Sequence, residues 1–197
     1  MDKQTIDTYD KLAKEYDEET TSFWELFPSP FINAFADRID GQVLNVGSGP
    51  GRDGLLLKSK GLNITCIDAS KSMVEMCQAR GLEAIQADFS ALPFSDENFA
   101  GAWAYTSLLH VSKKDISIAL DEIRRVLKTN GTLGLGMIEG NVEEYRLSTG
   151  VDLPRWFSFY TKEQLEKALA SHGFEVVHFE QFKPRSKIYL NFIAKKI

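Results

Sequence analysis

No run in this 197-residue chain approaches the roughly 18 consecutive apolar residues needed to cross a bilayer, so no membrane span is expected. Cysteine is scarce. Cys66 and Cys77 are the two in the chain, one in a strand-like pattern and one in a helix-like pattern, and neither stands at a metal-ligand spacing. That argues against a disulfide framework and against a metal site, and it predicts buried thiols in a reducing compartment. An excess of positive charge is also missing. The formal net charge of −5 weighs against nucleic acid as an obligatory partner, since phosphate binding needs clustered Lys and Arg, although local basic patches stay compatible with it. The amino-terminal MDKQTIDTYDKLAKEYDEE has no apolar signal core, which makes a cytoplasmic protein the default expectation. Hydrophobic residues at 43% and charged residues at 26% are ordinary globular usage and suffice for one well-buried core.

What the chain does have is a glycine turn, Val43 to Gly54, reading VLNVGSGPGRDG. Val43, Leu44 and Val46 form a short buried strand pattern. Gly47, Gly49 and Gly51 then allow the backbone to turn where side chains would block a ligand. An ordinary tight turn would use the same residues, so the signal gains its weight from the acids downstream. A second apolar run ends in Asp68, about twenty residues beyond the first glycine, where an acid can accept from a ribose. A third ends in Asp88 at about the same interval. Either acid alone also reads as a helix cap or turn former.

Strand and helix patterns alternate from Val43 onward, the order that produces a parallel sheet covered on both faces. Helices are predicted over 51–60, 71–80, 113–128 and 162–172, with Ser112/Asp115 and Thr161/Gln164 as capping boxes. Strands fit Phe99 to Tyr105 and Thr132 to Glu139. The chain closes with two alternating runs, Phe174 to Phe182 and Lys187 to Ala194. Lys-Pro-Arg-Ser joins them and is too short for a parallel crossover, so the last strand is predicted antiparallel.

In these residues the chain resembles the class I S-adenosylmethionine-dependent methyltransferases over nearly its whole length. VLNVGSGPGRDG resembles the family's first motif, Asp68 in ITCIDAS its ribose-binding acid, Asp88 with Phe89 in QADFSALPF its adenine pair, and EIRRVLKTNGTLGL the segment entering the fifth strand. The resemblance implies an α/β, doubly wound, Rossmann-like mixed sheet of seven strands in three α/β/α layers, with the last strand antiparallel. It divides the single domain into a helical cap over 1–40, a cofactor-binding core over 41–138, a substrate-cover insertion over 139–160, and a terminal helix and hairpin over 161–197. It implies S-adenosylmethionine as cofactor, held by Gly47, Ser48, Gly49 and Gly51 at the methionine end and Asp68 at the ribose. Ala69, Asp88 and Phe89 would flank the adenine, with Met73 and backbone at Tyr105 and Thr106 completing the set. Tyr16 would reach over from the amino-terminal segment. One departure stands out: Asn45 occupies the place where the family usually has an acid near the methionine end.

The reaction so implied is methyl transfer to an oxygen or nitrogen, with a small molecule as acceptor. Tyr105 and His110 are the catalytic candidates, His110 because imidazole can take a proton near neutrality, although a single His is as readily a structural hydrogen-bonder. Tyr9 and Tyr16, seven apart, would share one helix face, either docking the helix or closing the site. Residues 139–160 mix charge with aromatics. Tyr145, Arg146, Arg155, Trp156, Phe157 and Tyr160 could receive a carboxylate or an aromatic body, or could simply pack, and Phe23, Trp24 and Phe27 raise the same choice. Two other readings stay open. A dinucleotide-binding oxidoreductase would want its third fingerprint glycine where Arg52 stands. A non-catalytic S-adenosylmethionine-binding module is kept open by Asn45. Oligomeric state is not legible.

Overall fold

The computed structural model of the chain describes residues 2–27, 29–147 and 153–197. It opens with three helices, α1 (Lys3–Lys11), α2 (Ala13–Glu25) and α3 (Ser29–Ala36). Strands and helices then alternate as β1 (Gln42–Val46), α4 (Arg52–Ser59), β2 (Asn63–Asp68), α5 (Lys71–Ala79), β3 (Glu83–Gln86) and β4 (Phe99–Tyr105). A 3-10 turn at Leu108–His110 leads into α6 (Ile116–Val126) and β5 (Leu127–Ile138). A separate hairpin, β6 (Glu143–Leu147) with β7 (Pro154–Ser158), precedes α7 (Lys162–Ser171), β8 (Phe174–Phe182) and β9 (Tyr189–Lys196).

Seven strands form one sheet in the order β3-β2-β1-β4-β5-β9-β8. Pairing is parallel from β3 through β5, and β9 runs antiparallel to both β5 and β8, as the short Lys-Pro-Arg-Ser connection requires. Alternation along the strands sorts side chains into two cores. Leu44, Val46, Ala102 and Ala104 face the layer containing α6 and α7, whereas Val43, Trp103 and Tyr105 face α3, α4 and α5. Helix α6 shows how the sequence dictates this, since Ile116, Ala119, Leu120, Ile123 and Val126 recur at helical spacing and all are buried. The strand order reverses between β1 and β4, and the glycine turn lies at the carboxyl end of β1 at that reversal. Open α/β sheets bind ligands at such a place.

Three local expectations change. The helix predicted over 113–128 runs only from Ile116 to Val126, because Leu127 already pairs with Phe99. The ladder then bulges through Asn130, at φ +63°, before Thr132 resumes it opposite Gly101. Ser112 does not cap α6; its hydroxyl donates to the Asp115 carboxylate instead, whereas Thr161 and Gln164 do form a complete capping box. Tyr9 and Tyr16 do not share one continuous helix, since α1 ends before α2 begins at Ala13. Their rings nevertheless meet edge to face, 5.1 Å between centroids.

Candidate active site

The carboxyl ends of β1, β2 and β4 enclose a cavity, and ten of the residues nominated from the sequence line it: Tyr16, Gly47, Ser48, Gly49, Asp68, Ala69, Met73, Phe89, Tyr105 and Thr106. His110 is in its wall as well. Gly51 and Asp88 are not. Gly51 begins α4 at φ +89°, and a Cβ there would come within 2.8 Å of the Cys77 sulfur and a Leu82 methyl. Its glycine is needed for packing α4 against α5. Asp88 is half-buried and accepts the Ser90 N–H at 2.9 Å, the turn-forming bond of an aspartate after a strand.

Gly47 and Gly49 both hold positive φ, +68° and +53°. A Cβ on Gly47 would collide with Ser107 at 2.3 Å, while one on Gly49 would meet nothing within 4 Å and would project into free space. The Gly49 N–H donates to one Asp68 oxygen and the Ser70 N–H to the other, each at 2.9 Å. Asp68 is thus locked across the mouth of the turn with one lone pair on each oxygen still open to a diol. Burial pushes its carboxyl up to about 6, against the pull of these two backbone bonds.

Asn45 does not reach the cavity. Its side chain is fully buried on the α4 side and donates to Asp53 Oδ1 at 2.9 Å. Asp53, which was not among the residues nominated from the sequence, is in the cavity lining and 3% exposed. Burial raises it to about 6, again opposed by its hydrogen bonds to Asn45 and the Gly54 N–H. A carboxylate therefore stands beside Asn45, in the first turn of the next helix. The signal was present in the motif itself, as the Asp of GRDG. Ser107 also lines the cavity, and its buried Oγ has no hydrogen-bond partner.

The amino-terminal helices form the outer wall. Asp17 accepts from Arg52 at 2.7 Å and from Arg80 at 2.6 Å, tying α2 to the glycine turn. Asp10 accepts from the Ser70 hydroxyl and the Ser72 N–H, tying α1 to the start of α5. Tyr9 sits between them, and its hydroxyl meets His110 Nε2 at 2.8 Å and Arg155 Nη1 at 3.1 Å. His110 Nδ1 faces the Trp156 carbonyl, which can only accept, so Nδ1 carries the hydrogen and Nε2 receives the Tyr9 O–H. Burial first, then the nearby Arg155 charge, press the imidazole down to about 3, against the raising effect of the Trp156 bond. His110 is neutral and both of its nitrogens are engaged. Tyr105 is buried and stacked between Trp103 and Tyr189, and burial raises its phenol well above the usual range.

A second cavity, about 530 Å³, adjoins the first through Tyr9, Tyr16, Thr106 and His110. Among the residues nominated for a cover, Arg155, Phe157 and Phe23 line it. Tyr145 and Trp156 face a different groove, Arg146 lies over the Phe159 ring, and Tyr160 and Phe27 are buried packing residues. The side chain of Trp24, and residues 148–152 of the insertion, lie outside the described positions. Among the described residues no group of His, Cys, Asp and Glu could hold a metal ion, and no helix is long and apolar enough to cross a membrane.

A family description for a methyltransferase domain matches residues 43–131, the segment from β1 to the bulge in β5. The chain is 29% identical over 169 residues to an O-methyltransferase of Aspergillus sclerotiorum, covering 78% of this chain and 62% of that protein. It therefore spans about six tenths of that curated relative's length. The 1,6-didemethyltoxoflavin-N1-methyltransferase of Burkholderia thailandensis, solved with 1,6-didemethyltoxoflavin and S-adenosylhomocysteine, superposes with a TM-score of 0.78 at 20% identity, over 97% of this chain and 87% of that one. A methyltransferase of Methanosarcina mazei gives 0.77 at 21% identity, over 87% and 98%. With the glycine turn, the locked aspartate and the mixed seven-stranded sheet, these likenesses give the chain a methyltransferase domain over residues 43–131 and the methyltransferase fold, and they support a place in the class I S-adenosylmethionine-dependent methyltransferase family.

Proposed function

We propose that this chain uses S-adenosylmethionine to methylate an oxygen or nitrogen of a small molecule. The observation that carries the reading is the adjacency of the two cavities: a glycine-and-aspartate cradle at the strand ends shares the residues Tyr9, Tyr16, Thr106 and His110 with a space of about 530 Å³, within the range of small-molecule sites. In this reading Asp68 accepts from the ribose, and Asp53 replaces the acid absent at position 45 as counter-charge to the methionine ammonium. The exposed face of Gly49 admits the methionine backbone, and Phe89 covers the adenine. Asp88 and Gly51 act by shaping the turns beside the site. When bound, the cofactor supplies a sulfonium-activated methyl group. The protein's task is then orientation and exclusion of water, with about 7–11 kcal/mol available from alignment in favourable cases.

Proton removal runs through Tyr9. As the acceptor oxygen or nitrogen is methylated its proton becomes strongly acidic, so a weakly basic imidazole suffices. The proton passes to Tyr9 Oη while the tyrosine's own proton moves to His110 Nε2, 2.8 Å away. The oxidoreductase reading is disfavoured by Arg52, whose guanidinium occupies the third fingerprint position and is committed to Asp17.

Calorimetric titration with S-adenosylmethionine, S-adenosylhomocysteine and NAD tests the reading. Binding of both adenosyl compounds and not of NAD is expected, with Asp68→Ala and Asp53→Asn each weakening it by on the order of 1.5–3 kcal/mol. NAD binding alone, or full affinity in both variants, would overturn the assignment of this cavity.

A further inference from the structure

Among the described residues, the second cavity holds an excess of positive charge. Arg155, Arg185 and Lys187 line it, against the single carboxylate of Glu19. The described structure treats its other enclosed arginines differently. Arg52 and Arg80 share Asp17, and Arg125 is paired with both Glu122 and Asp96. Among the described residues no carboxylate forms an ion pair with Arg155, Arg185 or Lys187. Arg155 donates to the neutral Tyr9 hydroxyl, and among the described residues its buried Nε has no hydrogen-bond partner. Arg185 donates to the Ser22 hydroxyl. Lys187 is held below its usual range by desolvation and by the charges of Arg146 and Arg155.

An enclosed guanidinium with an unanswered N–H is costly, because water has been removed from a charge without replacement. Part of that cost is met by aromatic faces, since the Arg155 guanidinium lies 5.2 Å from the Tyr9 ring centroid, 5.8 Å from Tyr16 and 5.5 Å from Phe157. These rings hold the guanidinium in the cavity wall, and a guanidinium binds carboxylate through two parallel bonds. We propose that the methyl acceptor carries a carboxylate that docks on Arg155, with its unsaturated or aromatic body lying along Phe23, Phe157 and Tyr189. This rests on the methyltransferase reading of the adjoining cavity. A monoanion matches the single enclosed guanidinium. Arg185 and Lys187 are exposed, stand at the entrance on the β8–β9 turn, and attract the anion from solvent.

The test is a binding comparison on the full chain saturated with S-adenosylhomocysteine. Indole-3-acetate, 4-hydroxyphenylacetate and cinnamate are each titrated beside the corresponding carboxamide, with phenyl phosphate as the other anion. At least one acid should bind about tenfold or more tighter than its amide. Arg155→Gln should erase that preference and Arg155→Lys should restore part of it, both compared with S-adenosylhomocysteine kept saturating. Lys187→Gln, at an exposed site, should weaken the acid severalfold without affecting folding, and it serves if the Arg155 variants fail to fold. The proposal is overturned if no acid is preferred to its amide, if the preference survives in full in Arg155→Gln or in Lys187→Gln, or if phenyl phosphate binds tighter than every acid. Failure of S-adenosylhomocysteine itself to bind would bring down the methyltransferase reading and this inference with it. Normal cofactor binding without acid preference would remove only the inference.

Discussion

His110 shows how burial alters what a residue type promises. An imidazole placed after a strand suggests a base that titrates near neutrality, yet this one is 5% exposed, bonded at both nitrogens, and held down to about 3 by burial and by Arg155. In an unfolded chain it would titrate near 6.5. Between those values the unfolded state takes up a proton that the folded state refuses, so the contribution of His110 to stability is present above about pH 6.5 and is lost as pH falls toward 3. The stability difference between wild type and His110→Gln should therefore grow with pH by up to about 1.4 kcal/mol per unit in that window and level off above it. Denaturant melts of both proteins from pH 4 to 8 measure it, and a difference independent of pH would show that the ring titrates in the fold as it does in the unfolded chain. Such properties were not legible in the sequence. His110, Asp68 and the glycines could be nominated because each belongs to a local pattern. Asp53 stands in the same glycine motif and Tyr9 pairs with Tyr16 by spacing, but their places in the cavity were not legible, because these depend on a side-chain bond from Asn45 in one case and on contacts with His110 and Arg155 in the other.

At the scale of elements, α3 is packed into the core through Phe31, Ile32 and Phe35, whereas α1 and α2 are tied to it by polar contacts as well. Asp17 is the main one on α2, 14% exposed and bridging Arg52 on α4 to Arg80 at the end of α5. Those two arginines lie on elements separated by β2, so one carboxylate registers the cap against both sides of the glycine turn. Asp17→Asn leaves the shape intact and removes the charge. It should make opening of α2 easier by on the order of 1–3 kcal/mol, the cost of unmaking charge-assisted bonds. Limited proteolysis within residues 12–25 should quicken and S-adenosylmethionine should bind about tenfold more weakly, while the denaturation midpoint of the sheet moves little. Unaltered proteolysis together with unaltered affinity would show that the clamp carries no weight. The strands and helices of the core were read from periodicity because local pattern and burial agree there. The helix over 113–128 was overrun because Leu127 has an apolar side chain suited to either a last helical turn or a first strand position, and its pairing with Phe99 decides between them.

For the whole molecule, the cofactor cavity offers only about 60 Å³ of free space in this closed arrangement, well below the roughly 300 Å³ at which small-molecule sites begin. Entry of an adenosyl ligand therefore requires a wall to move, and the sheet side is the wrong candidate, since Gly47, Asp68 and Tyr105 are set by strand ends in a continuous ladder. The movable wall is α1 with α2 and the hairpin attached to them. Thr5 receives the Trp156 N–H, Thr8 donates to the Pro154 carbonyl, and Tyr9 joins His110 and Arg155, so cap and hairpin travel together. If opening releases the ligand, bound ligand must suppress opening, by RT ln(1 + [L]/Kd). That is about 2.7 kcal/mol, or about a hundredfold, at a hundred times Kd. Hydrogen exchange with saturating S-adenosylhomocysteine should thus slow the amides of α1, α2 and β7 by about that factor. Amides of α7, which lines neither cavity and can open without losing ligand, should not change. Protection confined to the glycine turn and Asp68, with the cap exchanging as before, would mean that the ligand slips into a rigid slot and that the tyrosines above it play no part in holding it.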